Sequence, residues 1–195
     1  MAIQGIIFDC DGTLADTMPA HYEAWLETLH RHGLEMSEDR FYALGGWPTA
    51  KVAELLIGES GRAIDVATIS HEKESLFERL IHLVRPIDPV AAVVRAHQGK
   101  LPIAVATGAT RPICEQVLRQ IGLWDAFDAV VSCEDVVAHK PSPDIFLEAA
   151  RRLNVPPAFC QVYEDTDPGV EAARRAGMQH VDVRTFYKPR RVTPV

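Results

Sequence analysis

Two acidic side chains lie two positions apart near the start of the sequence, directly after an apolar run. The run is Ile6-Ile7-Phe8, the carboxylates are Asp9 and Asp11, and a Gly-Thr pair follows. Residues i and i+2 of an extended chain point to the same side, so both carboxylates can face one site. Buried carboxylates cost free energy unless they are paired, hydrogen-bonded or bound to a metal. The pattern allows two interpretations, an acidic catalytic or metal site or a solvated turn after a strand.

Three later apolar runs are also followed by polar groups, namely Thr107, Lys140 and the pair Glu164-Asp165. Taken singly, each has a structural explanation: a helix cap, a solvated lysine, or negative charge at a helix N-terminus. In open α/β sheets, however, ligands bind at the carboxyl ends of the strands. We therefore expect these groups to meet Asp9 and Asp11 at one edge of a sheet.

Such a set of charges favours a metal-assisted phosphate site. Four carboxylates (Asp9, Asp11, Glu164 and Asp165) cannot stay ionised together without compensation. A hard divalent cation with oxygen ligands supplies that compensation, and Mg²⁺ is the natural candidate.

The other polar groups suit the binding of an anion. Thr107 and the backbone N–H groups of Gly108 and Ala109 precede a predicted helix and form an anion cradle. Lys140 adds a point charge for a phosphate oxygen and can hold a nucleophile ionised. We therefore predict a small phosphate ester as the ligand.

The elements that must position these groups form two kinds of pattern. The strand predicted at 6–8 is followed, from residue 88 onward, by alternating helices and strands. Helices are predicted at about 89–98, 112–121, 143–153 and 168–176, and strands at 101–106, 129–132, 159–163 and 180–183. This alternation predicts the α/β class, a Rossmann-like parallel sheet with helices on both faces. At the start of the last helix, we predict that Asp167 caps and Pro168 opens the first turn.

Residues from about 16 to 86 show helical spacing and no strand pattern. Roughly seventy residues are too many for a simple crossover between strands, so a separate helical subdomain is predicted at 16–86. The α/β core domain would then consist of residues 1–15 and 87–195.

Composition excludes several classes of protein. The net charge of −7 argues against a nucleic-acid partner. The sequence has neither an apolar run of membrane-spanning length nor a signal-like segment, so we expect a cytoplasmic protein without a membrane partner. The four widely spaced cysteines are interpreted as buried apolar residues in a reducing compartment. One domain with an insert requires no partner subunit, and we expect a monomer.

The motifs together resemble those of the haloacid dehalogenase-like hydrolase superfamily. They are Asp9-Cys10-Asp11-Gly12-Thr13, Thr107-Gly108, Lys140-Pro141 and Glu164-Asp165, in the family's order and over the whole chain. The helical stretch resembles the family's α-helical cap, inserted after the first strand. Within the family the chain looks most like the β-phosphoglucomutase-like group, and there like bacterial phosphatases of fructose 1-phosphate and 6-phosphogluconate.

The resemblance implies a role for each motif residue. Asp9 would be the nucleophile that forms an aspartyl-phosphate. Asp11 would be the general acid for the leaving sugar oxygen and then the base for the hydrolytic water. Thr107 and Lys140 would hold the phosphoryl group during transfer.

The resemblance also implies a set of Mg²⁺ ligands. Asp9 and Asp165 would bind the metal through their carboxylates, and Asp11 through its backbone carbonyl. Glu164 would act as a direct or an outer-shell ligand.

In the cap, the predicted substrate contacts are His21, Trp47 and Lys51. The mutases of this group hold a second phosphate with an arginine in a cap loop, where this chain has Thr49. We therefore favour net hydrolysis over isomerisation. A β-phosphoglucomutase-type isomerase remains the alternative enzyme, and a non-enzymatic interaction domain is the third interpretation.

Overall fold

Seven strands and eight α-helices are described by the computed structural model, which covers residues 2–192. The strands are β1 Gly5–Phe8, β2 Ala15–Asp16, β3 Arg85–Pro86, β4 Ile103–Ala106, β5 Ala129–Val131, β6 Cys160–Glu164 and β7 Gln179–Asp182. The helices are α1 Met18–Arg31, α2 Glu38–Ala43, α3 Thr49–Ser60, α4 Val66–Leu80, α5 Asp88–His97, α6 Arg111–Gln120, α7 Asp144–Leu153 and α8 Asp167–Arg175.

Five strands form one sheet in the order β5-β4-β1-β6-β7, and every neighbouring pair is parallel. The central strand β1 places Ile7 beside Ala104 of β4 and Val162 of β6. The predicted parallel α/β sheet is confirmed. Because all five strands run the same way, their carboxyl ends share one edge. Asp9, Thr107 and Glu164 lie at or directly after such ends, whereas Lys140 follows the end of β5 by nine residues.

The apolar character of the strands follows from their burial on both faces. Ile7 and Val162 pack with Phe146 of α7 and Ala172 of α8 in one buried cluster. Phe8, which points to the opposite face, is also fully buried. Parallel sheets covered on both faces show continuous apolar runs rather than alternation, as in the run Ile6 to Phe8.

The described chain divides into two compact units. One, the α/β unit, contains residues 2–16 and 84–188; the other, the helical unit, contains residues 17–83 and 189–192. The α/β domain was predicted to include residues 87–195, whereas residues 189–192 group with the helices. The reason is local, because Arg191 lies 3.0 Å from Asp39 and the backbone N–H of Val192 donates to Glu38.

A short ladder lies where the helical insert leaves and rejoins the α/β unit. Ala15 and Asp16 pair antiparallel with Pro86 and Arg85. The expectation that residues 16–86 contain no strand was therefore wrong at both ends. Two-residue strands that pair across some seventy positions leave no periodic pattern that a sequence could show.

The helical unit has its own core. Helices α1 and α4 pack against each other, and Trp25, Leu29, Phe41, Leu56 and Ile69 are buried in one cluster. Within the described residues, none of the helices is both long enough and apolar enough to span a bilayer.

The cap of helix α8 differs from its prediction. Helix α8 is capped by Thr166 rather than by Asp167, since the Thr166 hydroxyl accepts from the N–H of Gly169. Asp167 instead occupies the first turn, where its negative charge favours the helix dipole.

Candidate active site

Asp9 lies directly beyond the carboxyl end of the central strand and is buried. Its backbone N–H donates to the carbonyl of Tyr163 at 3.0 Å, which extends the pairing of β1 with β6 by one residue. Its carboxylate Oδ1 accepts from Nζ of Lys140 at 2.6 Å. The last backbone hydrogen bond between β1 and β6 thus fixes the backbone of Asp9, and the ammonium of Lys140 fixes its side chain.

Lys140 joins two buried carboxylates. Its Nζ donates to Asp9 and also to Oε2 of Glu164 at 2.7 Å, with 13% of its side chain exposed. Burial alone would lower the pKa of Lys140, but Asp9 and Glu164 raise it above its ordinary value. The lysine is therefore charged at every pH at which the protein works.

At Asp9, burial and the partner charge shift the pKa in directions opposite to those at Lys140. Burial raises its pKa well above the ordinary value, Lys140 lowers it, and the nearby carboxylates of Glu164, Asp165 and Asp11 raise it again. One ammonium does not compensate this group of acids. A further positive charge at the site would keep Asp9 ionised.

Glu164 at the end of β6 is fully buried, and both of its carboxylate oxygens have partners within the protein. Oε2 accepts from Lys140, while Oε1 accepts from the N–H groups of Asp165 and Thr166 and from the Thr166 hydroxyl. A Cβ on Gly169 would lie 2.0 Å from Oε2, so only glycine leaves room for this carboxylate. These contacts make Glu164 a support for Lys140 and the Asp165 loop.

Asp165 is held by the turn that follows the first motif. The Thr13 hydroxyl donates to its Oδ1 at 2.9 Å. Gly12 has φ +79°, and a Cβ there would lie 2.2 Å from Asp165 Oδ2. Burial and the charge of Glu164 raise the pKa of Asp165 to about 7, against the lowering effect of Thr13. The sequence indicates a turn at Gly12-Thr13 but does not indicate that this turn binds the carboxylate of Asp165.

Three carboxylates converge closely enough to share a cation. Asp9, Glu164 and Asp165 each offer one oxygen, and these oxygens lie within 4.8 Å of one another. Oxygen donors of this type suit Mg²⁺ and Ca²⁺ rather than softer metals. Burial and the repulsion between the carboxylates raise the pKa values of Asp9 and Asp165, and the charge of Lys140 offsets this only in part. The residues present therefore fit a hard divalent cation.

Asp11 lies in the turn beyond Asp9 and is half-buried. The turn closes through a bridge between Asp11 and Ala15 and a hydrogen bond from the N–H of Gly12 to the carbonyl of Ala15. The charge of Asp11 raises the pKa of both Asp9 and Asp165, which places its carboxylate near theirs. The structure thus brings Asp11 to the same group of acids.

The loop after β4 contains the residues of the predicted anion cradle, Thr107, Gly108 and Ala109, but the N–H of Ala109 is bonded to Thr107 rather than open to an anion as predicted. Thr107 is fully buried, and its N–H donates to the carbonyl of Val131 on the neighbouring strand. Its hydroxyl oxygen accepts from the N–H of Ala109 at 3.0 Å. The acceptor side of the hydroxyl is thereby occupied, so its O–H can donate to a bound anion. Gly108 between them is exposed and has open space around its Cα.

The predicted cap contacts all lie in the helical unit, but the structure does not bring them into one group. The His21 ring stacks on Phe77 at 3.6 Å, and its Nδ1 lies 2.9 Å from Nζ of Lys73. Trp47 is about half exposed, at 49%, and Lys51 is exposed.

A polar network in the helical unit escaped the sequence analysis. Lys73 is only 3% exposed, and its Nζ donates to Oε1 of Glu74 at 3.0 Å. The Thr49 hydroxyl donates to the same oxygen at 2.5 Å. Burial raises the pKa of Glu74, but Lys73 and Thr49 outweigh it, so that the pKa lies below its ordinary value. The sequence does show a signal, since Lys73 shares a helical stripe with Ile69, Leu76 and Phe77, which are buried together in α4.

Comparisons with known proteins point to one family. The model of the haloacid dehalogenase-like hydrolases matches residues 3–177. The chain is 43% identical to the fructose-1-phosphate phosphatase YqaB of Escherichia coli, over 92% of this chain and 96% of that protein. It is 28% identical to the β-phosphoglucomutase of Bacillus subtilis, over 93% of this chain and 83% of that protein.

A solved structure shows the same architecture. It is that of a mutant of CbbY from Rhodobacter sphaeroides in complex with xylulose-(1,5)bisphosphate. The TM-score is 0.78 at 27% identity, and the match covers 91% of this chain and 84% of that one.

Proposed function

The chain belongs to the haloacid dehalogenase-like hydrolase family, and we propose that it is a Mg²⁺-dependent phosphatase that acts on small sugar monophosphates. The family predicted from the motifs is confirmed, and the protein is a phosphoric monoester hydrolase. The observation that carries the proposal is the buried Lys140, which bonds both Asp9 and Glu164 beside Asp165 at the strand ends. The similarity to a fructose-1-phosphate phosphatase supports the choice of substrate class.

Asp9 is the proposed nucleophile. Its carboxylate attacks phosphorus in line, the bond to the sugar oxygen breaks, and an aspartyl-phosphate forms. Attack requires the ionised form, which Lys140 favours at 2.6 Å. Water then attacks the phosphorus of the intermediate, which releases phosphate and restores Asp9.

Asp11 is the proposed proton carrier. It is half-buried, so it can exchange protons with solvent more readily than the buried Asp9. In the first step it would give a proton to the leaving sugar oxygen, and in the second it would take one from the attacking water.

Thr107 and Gly108 are proposed to hold the phosphoryl oxygens. The hydroxyl of Thr107 is oriented by the N–H of Ala109, so its proton is directed at the ligand rather than at the backbone. Ala109 is then a positioning residue, and Gly108 leaves its own N–H accessible. Lys140 adds the positive charge that phosphoryl transfer requires.

Asp9 and Asp165 are proposed as the direct carboxylate ligands of Mg²⁺, with the backbone carbonyl of Asp11. When bound, the cation would neutralise charge on the transferring phosphoryl group. Glu164 is proposed as an outer-shell residue, because Lys140 and the Asp165-Thr166 backbone already occupy its oxygens.

The proposed substrates carry one phosphate. A second phosphate would need a cationic group in the cap, and at the start of α3 the chain has Thr49, whose hydroxyl is bonded to the Glu74 carboxylate. The ammonium of Lys73 beside it is buried and paired with the same carboxylate, so it is engaged within the protein rather than presented to a second phosphate. This supports hydrolysis over an isomerisation that must retain a bisphosphate.

A panel of sugar phosphates tests this function. With Mg²⁺ present, we expect phosphate release from fructose 1-phosphate or 6-phosphogluconate to exceed that from ribose 5-phosphate and β-glucose 1-phosphate, measured as inorganic phosphate. The matched control is Asp9→Asn. Glucose 6-phosphate that forms from β-glucose 1-phosphate faster than free phosphate would favour the mutase. Turnover no higher than the control on every compound would reject the enzyme assignment.

Stability should respond jointly to pH and Mg²⁺. Asp165 has a pKa of about 7 in the folded protein and an ordinary value of 3.8, so between these values the folded state binds more protons than the unfolded state. Stability of the metal-free protein should therefore fall as pH rises through that window. Since the cation binds the deprotonated carboxylate, the rise in Tm with Mg²⁺ should be larger at about pH 7.5 than at about pH 5.5.

Differential scanning fluorimetry with Mg²⁺ or with a chelator measures this effect. Asp165→Asn should lose most of the Mg²⁺-dependent rise, while Asp125→Asn, an exposed site elsewhere, should keep it. An equal Mg²⁺ effect at both pH values would contradict the assignment of Asp165.

A further inference from the structure

The last described residues of the chain, 189–192, contact helix α2 of the helical unit, and we name them the return segment. The Tyr42 hydroxyl donates to the carbonyl of Arg190 at 3.0 Å. The N–H of Val192 donates to Oε1 of Glu38 at 2.7 Å. Both ends of α2 are thus hydrogen-bonded to the backbone of the return segment.

Side chains reinforce these two bonds. The Arg191 guanidinium lies 3.0 Å from Asp39 Oδ1, 3.9 Å from Glu38 Oε2 and 4.3 Å from the centre of the Tyr42 ring. Val192 packs against the apolar cluster of the helical unit. An exposed ion pair contributes little by itself. The combination of backbone bonds, a stacked cation and an apolar contact is what holds the segment.

The return segment is anchored in the α/β unit only a few residues earlier. The N–H groups of Phe186 and Tyr187 donate to the carbonyl of the buried Val183. Between Tyr187 and Arg190 the chain advances three residues, which span at most about 11 Å when fully extended. The linker between the two anchors is therefore short.

The chain passes between the two units three times, after residues 16, 83 and 188. The first two passages lie side by side, because Asp16 pairs with Arg85 in the β2–β3 ladder. Two adjacent strands act as one hinge, and a third connection whose two anchors lie only a few residues apart in the chain limits motion about that hinge.

We propose that the return segment is a strap that limits rotation of the helical unit about the β2–β3 hinge and keeps α2 ordered. A six-residue helix is too short to be stable without tertiary contacts, so α2 depends on what packs against it. Helix α2 is followed directly by the loop that contains Trp47 and ends where α3 begins at Thr49. The strap therefore sets the mobility of that loop. The limited rotation and the ordering of α2 do not depend on the proposed phosphatase activity.

Hydrogen exchange and a distance measurement test the strap. Variants end the chain after Lys188 or carry Arg191→Glu, which turns attraction to Glu38 and Asp39 into repulsion. The matched control is Lys188→Glu, the same charge reversal at an exposed position three residues earlier. We expect exchange of the α2 amides to rise about tenfold on truncation, less in Arg191→Glu and not in the control. Amides of β1 and β6 should not change in any variant.

Nitroxide labels at Ala67→Cys and Ala96→Cys, one exposed position in each unit, report on the hinge when Cys133 is replaced by serine. We expect the distribution of label-to-label distances to broaden on truncation. Asp39→Arg combined with Arg191→Glu should restore the slow exchange lost in the single variant. Unchanged exchange in α2 would overturn the proposal. Faster exchange with an unchanged distance distribution would also overturn it, because the segment would then only stabilise α2.

Discussion

Replacing Asp9 by asparagine should lower kcat by at least about 10⁴-fold, because the amide has the shape of the carboxylate but is not a nucleophile. The fold should survive the change. Asp9 is buried among carboxylates that raise its pKa, so a neutral side chain at this position relieves repulsion. The carbonyl oxygen of the new amide could still accept from Lys140. The substitution should therefore lower the activity and raise the stability.

The measurement is kcat on the best sugar phosphate, with Tm recorded for the same preparation. Asp125→Asn serves as the control, since it makes the same chemical change at an exposed turn. Acid quench of the wild-type enzyme during turnover should yield phosphate bound covalently to Asp9, and the variant should yield none. A variant that retains a tenth of the activity, with an unchanged Tm, would remove Asp9 from the role of nucleophile.

The structure brings together several residues that the sequence singled out by chemistry and topology. Asp9 and Glu164 lie at the carboxyl ends of β1 and β6, and parallel strands deliver such residues to one edge. Lys140 lies nine residues after the end of β5, and its Nζ is within hydrogen-bond distance of both acids. Chain direction accounts for the position of the two acids, whereas the position of Lys140 also depends on the loop after β5.

Features that depend on close contact between distant segments were not predictable. Gly12 and Thr13 were identified as a turn, but their use is to approach and bond Asp165, which lies 152 residues after Thr13. A single sequence shows that a glycine is present and not which carboxylate occupies the space where its Cβ would be. The same holds for Gly169 beside Glu164.

The buried charge of Lys73 in the helical unit shows a different limit of prediction from sequence. Periodicity assigns residues to a buried stripe, and Lys73 lies on that stripe, but periodicity does not say how a buried ammonium is compensated. The compensation comes from Glu74, the next residue, and from contacts with His21 and the aromatic ring of Phe77. The boundary of the helical unit was missed for a similar reason, because Arg191 carries no local pattern that would indicate its contact with Asp39.

Replacing Lys140 by methionine should impair stability and activity separately. Methionine keeps the length and apolar stem but leaves the carboxylates of Asp9 and Glu164 without their shared ammonium. Removal of one partner from a buried charge pair costs about 3–5 kcal/mol, so the free energy of unfolding of the metal-free variant should fall by that order. Mg²⁺ should recover part of this loss, because a cation near the three acids again neutralises them.

Activity should not recover with the metal. Lys140 holds Asp9 ionised and is proposed to contact the phosphoryl oxygens, so without its ammonium kcat/KM should fall by about 10³-fold even at saturating Mg²⁺. Lys140→Arg tests geometry, since its planar guanidinium keeps the charge but cannot replace a compact ammonium between two buried acids. Lys100→Met, at an exposed lysine, controls for loss of one positive charge from the surface. If Mg²⁺ restored both stability and kcat/KM in Lys140→Met, the lysine would only neutralise charge, and its proposed contact with the phosphoryl group would be wrong.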